Sequence, residues 1–66
     1  MQITINGENR EVEQNLTISE LLGKLEMPNQ RIAVEMNKEI VRKKDWESTI
    51  LSNADKIEIV HFVGGG

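Results

Sequence analysis

Few side chains in this sequence have types and spacing suited to chemistry, and the most telling stretch has no side chains at all. Val63 is followed by Gly64-Gly65-Gly66. Glycine carries no reactive group, so the only chemistry available there belongs to the α-carboxylate of Gly66, ionised above a pKa of about 3.3–3.7. A carboxylate is a poor electrophile, and forming a mixed anhydride with AMP makes it a good one. Attack by sulfide then gives a thiocarboxylate, and attack by an amine gives an amide. Neither step needs a catalytic residue on the chain itself. Gly64 and Gly65, lacking a Cβ, form an approach narrow enough to enter a partner's active site. An extended segment from His61 to Gly66 reaches roughly 20 Å, and such an end is expected to be mobile in the free protein. The alternative is a frayed end or an expression remnant with no role.

The remaining candidates are weaker. His61 is the single histidine; it stands near the tail and is a candidate partner contact, or an ordinary exposed residue at a strand end. Val60 and Phe62 fall on one face of the last apolar stretch, and Ile57, Ile59 and His61 on the other. If Ile57 and Ile59 face a core, Val60 and Phe62 form an apolar docking patch beside the tail, unless twist or a bulge buries Phe62. Arg42-Lys43-Lys44 reads as a solvated loop, and Trp46 as a satellite packing residue. Glu35 and Glu39 share a strand region, but no cleft is indicated, so acid–base catalysis is unsupported.

Composition narrows the classes further. With 66 residues, the chain is one small domain whose core only just offsets the entropy of ordering it, leaving little room for a buried cleft. There is no cysteine, which excludes disulfides and thiolate metal sites, and with a lone histidine a metal centre is not expected. Eight basic against 11 acidic residues give a net charge of −3, and the aromatic fraction is 3%. Nucleic-acid binding by phosphate neutralisation or base stacking is therefore not expected. No apolar run is long enough to span a membrane and no leader peptide is legible, so a cytoplasmic location is expected.

Local patterns give the elements that must position the tail. Met1, Ile3 and Ile5 alternate with polar residues, predicting a half-buried strand. Asn6-Gly7 predicts a tight turn, and Arg10 to Glu13 a polar strand at a sheet edge. Thr17 and Glu20 form a capping box, with Leu16 and Leu21 as the flanking hydrophobic staple. Ile18, Leu21, Leu22 and Leu25 continue at helical spacing, and Pro28 ends the helix near Glu26. Ile32, Val34 and Met36 predict a third strand, Asn37-Lys38 a turn, and Glu39 to Val41 a fourth strand. Ile50-Leu51 is a brief apolar contact. Lys56 to Phe62 is the last strand, apolar enough to lie centrally, beside the first. The order β-β-α-β-β-β is an α+β two-layer domain spanning residues 1–63, followed by a flexible tail of residues 64–66.

Three stretches carry a family resemblance that covers the whole chain: the Asn6-Gly7 hairpin, Val34-Glu35-Met36-Asn37-Lys38-Glu39-Ile40-Val41, and Asp55 through His61-Phe62-Val63-Gly64-Gly65-Gly66. The sequence resembles the sulfur carrier proteins of thiamine biosynthesis, in the ubiquitin-like β-grasp superfamily. The resemblance implies a mixed sheet in the order 2-1-5-3-4 with the helix across one face. It implies that Gly66 is adenylated by an E1-like, ThiF-type adenylyltransferase, which supplies the ATP and magnesium; the chain itself binds no cofactor. A sulfur-relay protein fed by a cysteine desulfurase would then provide sulfur, and the Gly66 thiocarboxylate would go to a ThiG-type thiazole synthase. A third glycine, Gly64, precedes the diglycine where other members carry a different residue. Three rival readings accompany this one: a molybdopterin-synthase small subunit, a ubiquitin-like modifier, and a β-grasp interaction module with an inert tail.

Overall fold

The order of elements is β1 (Gln2–Ile5), β2 (Glu8–Glu11), α1 (Ile18–Lys24), β3 (Ile32–Met36), β4 (Glu39–Val41), a short 3-10 turn (Lys43–Asp45) and β5 (Lys56–His61). They are taken from a computed structural model that describes residues 1–27 and 31–61. Pro28, Phe62, Val63 and the glycines Gly64 to Gly66 lie outside the described residues, and with them the expected tail mobility and the expected boundary at residue 63.

The strands form one sheet in the order β2-β1-β5-β3-β4. β5 is central, parallel to β1 and antiparallel to β3. The two outer pairs are hairpins closed by two-residue turns. Asn6 and Gly7 have φ of 50° and 84°, and Asn37 and Lys38 have φ of 54° and 70°. Positive φ at both central residues is the turn geometry that suits the twist of paired strands. The first turn also corrects the expected second strand. Because only two residues intervene, pairing begins at once, with Ile5 opposite Glu8 and Gln2 opposite Glu11. The strand is Glu8–Glu11 rather than Arg10 to Glu13, and all four of its residues are exposed.

Helix α1 forms as its start signals require. The Thr17 hydroxyl oxygen accepts from Glu20 N–H at 3.1 Å, and Thr17 N–H donates to Glu20 Oε1 at 2.9 Å. Leu16 and Leu21, the staple pair, are both buried. The helix stops at Lys24, two residues short of the expected Glu26. Glu26 takes φ 54°, its N–H donates to Gly23 O at 3.1 Å, and Met27 N–H donates to Leu22 O at 3.2 Å. This left-handed cap satisfies the terminal carbonyls before Pro28 is reached.

One core lies between helix and sheet. Ile18, Leu21 and Leu22 of α1 cluster with Ile3, Ile5, Ile32, Val34, Ile57 and Ile59 of the strands, joined by Leu16, Trp46 and Leu51. Trp46 is not a satellite: it is 5% exposed and belongs to this core, its indole N–H donating to Val41 O at 2.9 Å. The 3-10 turn brings the chain round so that the ring packs inward and its polar edge ties down β4. Thr17 and Ile50 form an antiparallel bridge, flanked by Ile18 N–H to Thr49 O at 3.0 Å and Leu51 N–H to Leu16 O at 2.8 Å. Of the expected apolar contact, Leu51 is buried and Ile50 faces out.

Candidate functional site

Among the described residues, the helix covers one face of the sheet and leaves the other open. Register determines what that open face displays. Ala33 lies opposite Val60, Glu35 opposite both Glu58 and Ile40. Directly opposed residues project to the same side of a sheet. Ile32 and Val34 on β3, and Ile57 and Ile59 on β5, face the core, so Ala33, Glu35, Ile40, Glu58 and Val60 share the open side. Val60 is 53% exposed and Ile40 72%. The two are separated by β3, where Ala33 is small and half-buried. The result is an apolar track of Ile40, Ala33 and Val60, with Glu35 and Glu58 set into it.

The expectation that Val60 lies on the open face while Ile57 and Ile59 face the helix therefore agrees with the structure. Phe62, its expected companion, is outside the described residues. His61, at the end of β5, is exposed and opposite Ile32. Ile40 was missed as a surface residue. Its signal was present in the Glu39-Ile40-Val41 hairpin, because a two-residue turn fixes which residues of β3 and β4 share a side.

The other candidates separate. Glu35 is on the open face, while Glu39 is opposite Met36 on the helix side, so the two carboxylates do not converge. Among the described residues, no three His, Cys, Asp or Glu side chains are grouped to hold a metal ion. Arg42, Lys43 and Lys44 are exposed on the 3-10 turn and its flank. A groove between β2 and α1, lined by Ile5, Arg10, Glu13, Leu21, Lys24 and Leu25, holds an ion pair from Lys24 Nζ to Glu13 Oε1 at 2.6 Å. Hydrogen bonding to Lys24, aided by its charge, lowers the Glu13 pKa, and the same contact raises that of Lys24. Both side chains are exposed, which suits a surface tie rather than a reactive pair.

What the arrangement presents is an exposed apolar track that includes Val60 of the central strand. Both hairpin turns brace that strand. Asn37 N–H donates to Lys56 O at 2.8 Å, and Lys56 N–H to Asn37 Oδ1 at 2.9 Å. Asn6 does the same further along, with Ile59 N–H donating to Asn6 Oδ1 at 2.8 Å.

Comparison with known proteins agrees with this architecture. Residues 3–66 match the ThiS family. The chain is 48% identical over 50 residues to the sulfur carrier protein ThiS of Bacillus subtilis, covering 76% of each chain. It is 42% identical over 66 residues to a thiazole synthase of Paramagnetospirillum magneticum, all of this chain corresponding to 20% of that one. The chain thus spans about a fifth of that synthase's length. A crystal structure of the thiamine biosynthesis protein ThiS from Geobacter metallireducens superposes with a TM-score of 0.88 at 30% identity, covering 100% of both chains. The fold is accordingly the ubiquitin-like β-grasp of ThiS. The chain belongs to the ThiS family.

Proposed function

We propose that the carboxylate of Gly66 is the working group of this carrier and that it cycles through an acyl-adenylate and a thiocarboxylate. In the first step a Gly66 carboxylate oxygen attacks the α-phosphorus of ATP and expels pyrophosphate. In the second, the terminal sulfur of a relay persulfide attacks the acyl carbon and expels AMP, and a thiol then attacks the relay-side sulfur of the acyl disulfide, forming a disulfide and releasing the thiocarboxylate. An E1-like, ThiF-type adenylyltransferase with ATP and magnesium performs the first step, and a sulfur relay fed by a cysteine desulfurase supplies the second. A ThiG-type thiazole synthase then consumes the sulfur. The chain is a co-substrate in each step, not the catalyst.

The observation that carries this reading is the ThiS family match running through Gly66. The thiazole synthase partner draws support from two proteins of that name, 42% and 39% identical to this whole chain over about a fifth of their length. In them a carrier-like segment shares one polypeptide with the named activity. Gly64 and Gly65 form the slender approach to the partner's active site. Val60 and Phe62 form the docking surface together with Ile40 and Ala33, which share the open side with Val60, and His61, opposite the core-facing Ile32, is a partner contact on the other side of the strand.

Mass spectrometry of the protein from thiamine-starved cells that contain the partner enzymes tests the reading. Exchange of one terminal oxygen for sulfur is expected. An unmodified terminus would overturn the carrier chemistry, and conjugates to lysine would indicate a modifier instead. Extending the chain by one residue beyond Gly66 is expected to abolish thiocarboxylate formation while the domain stays folded.

A further inference from the structure

Strand β1 ends before its neighbour β5 does. Their backbone pairing covers Thr4 with Lys56 and Ile5 with Ile57. Asn6 N–H then donates to Ile57 O at 2.9 Å, and the chain turns away at φ 50° and 84°. β5 continues to His61, accompanied on its other side by β3. On the β1 side, the backbone groups of Ile59 are met by a side chain. Ile59 N–H donates to Asn6 Oδ1 at 2.8 Å, and Asn6 Nδ2 donates to Ile59 O at 3.3 Å. The primary amide of Asn6 thus stands where the next peptide of β1 would be.

Turn geometry alone does not call for this. Positive φ at the first turn position suits asparagine, aspartate and glycine alike. Of these three, only asparagine carries both a donor and an acceptor at neutral pH, as a strand seam requires. Beyond Ile59 lie Val60 and His61, the docking candidates, and then the tail.

We infer that Asn6 is a positioning residue for the carboxy-terminal segment: its amide extends β1 by one peptide and holds β5 at Ile59, so that Val60 and His61 are in place before the activating enzyme binds. The inference rests on the carrier reading. Its kinetic consequence is specific. Releasing the clamp leaves the bound complex unchanged but adds an ordering cost to reaching it, which appears in KM and not in kcat.

The test compares the wild-type chain with Asn6→Gly and Asn6→Asp. Glycine accepts φ 50° without strain, so the turn survives and only the amide is lost. Nitrogen-15 NMR is expected to show amide exchange at Ile59 accelerated at least about tenfold relative to Ile57, with lower heteronuclear NOE at Val60 and His61. In ATP–pyrophosphate exchange with a ThiF-type adenylyltransferase, KM is expected to rise about five- to tenfold, with kcat within about twofold of wild type. Asn6→Asp supplies a readout that simple loss of stability does not move. Its ionised carboxylate accepts from Ile59 N–H but opposes Ile59 O, whereas its protonated form can donate again. The NOE at Val60 and His61 in Asn6→Asp is therefore expected to recover as pH falls through about 4, while the wild type shows no such recovery. Unchanged KM in Asn6→Gly, with the wild type adenylated, overturns the positioning role alone. No recovery in Asn6→Asp overturns it as well. A wild-type chain that is not adenylated overturns the carrier reading and the positioning role with it.

Discussion

Replacing Val60 by threonine separates docking from folding. The substitution keeps the branched shape at Cβ that a strand favours and exchanges one methyl for a hydroxyl. In the free domain Val60 is 53% exposed, so the hydroxyl stays hydrated and the expected stability change is within about 0.5 kcal/mol. Against a partner docked on the open face the position would be covered. The lost methyl is then worth about 0.8 kcal/mol, and a hydroxyl desolvated without a partner costs about 1–2 kcal/mol more. Together they weaken docking by about 2 kcal/mol, or roughly 30-fold. Ile40→Thr, at a site 72% exposed, is expected to act similarly. Ile40 and Val60 lie on β4 and β5 with β3 between them. Strands two places apart are separated by about 9–10 Å, far enough for the two effects to add. The assay is ATP–pyrophosphate exchange with a ThiF-type adenylyltransferase, read as KM and kcat separately, with melting temperatures as the control for folding. If both single variants keep KM within about twofold of wild type, the open face is not the docking surface.

Three further outcomes test the scaffold. Trp46→Phe removes the indole bond to Val41 O and part of a ring that is 5% exposed; a loss of about 2 kcal/mol is expected, lowering Tm by about 8–16 °C by circular dichroism. Thr17→Ala removes the capping interactions of α1 and is expected to cost about 1 kcal/mol, measured by urea denaturation. The Glu13–Lys24 pair predicts opposite pH effects at its two ends. Because the Glu13 pKa is lowered in the fold, its contribution is present above the unfolded value and fades as pH falls through the folded one. Because the Lys24 pKa is raised, its contribution is present below the unfolded value of 10.5 and fades as pH rises through the folded one. Lys24→Met is expected to remove the pair's share of both dependences, seen as a difference in Tm against pH that shrinks in high salt.

The parts of this fold that were legible in the sequence are those written locally. Asn6-Gly7 and Asn37-Lys38 mark both hairpins through their tolerance of positive φ, and Thr17 with Glu20 marks the helix start. Alternation in Ile3-Ile5, Ile32-Val34 and Ile57-Ile59 assigns the core face. What escaped depends on contacts between distant segments. The Asn6 amide meets Ile59 across 53 positions, and nothing near residue 6 announces a partner near the end. Trp46 joins the core only because the 3-10 turn reverses the chain ahead of it. The helix ends early because Glu26 accepts a left-handed conformation, which propensity would assign to glycine or asparagine. Ile40 follows from register, which becomes readable once the turn length is known. The role proposed for Gly64 to Gly66 rests on the chemistry of a terminal carboxylate, and those glycines lie outside the described residues.

The place of β5 in the sheet also bears on how the protein is made. Its residues, Lys56–His61, are synthesised after every other element, yet they form the middle strand that joins the β2-β1 hairpin to the β3-β4 hairpin. During translation the two hairpins and the helix have no common sheet to complete, so the domain closes only once β5 has left the ribosome. A chain truncated before Lys56 lacks the seam between its halves and also lacks Val60, one of the three residues of the apolar track. Folding thus acts as a length check: the strand that completes the sheet also carries Val60, so the exposed apolar track is assembled only when the sheet closes.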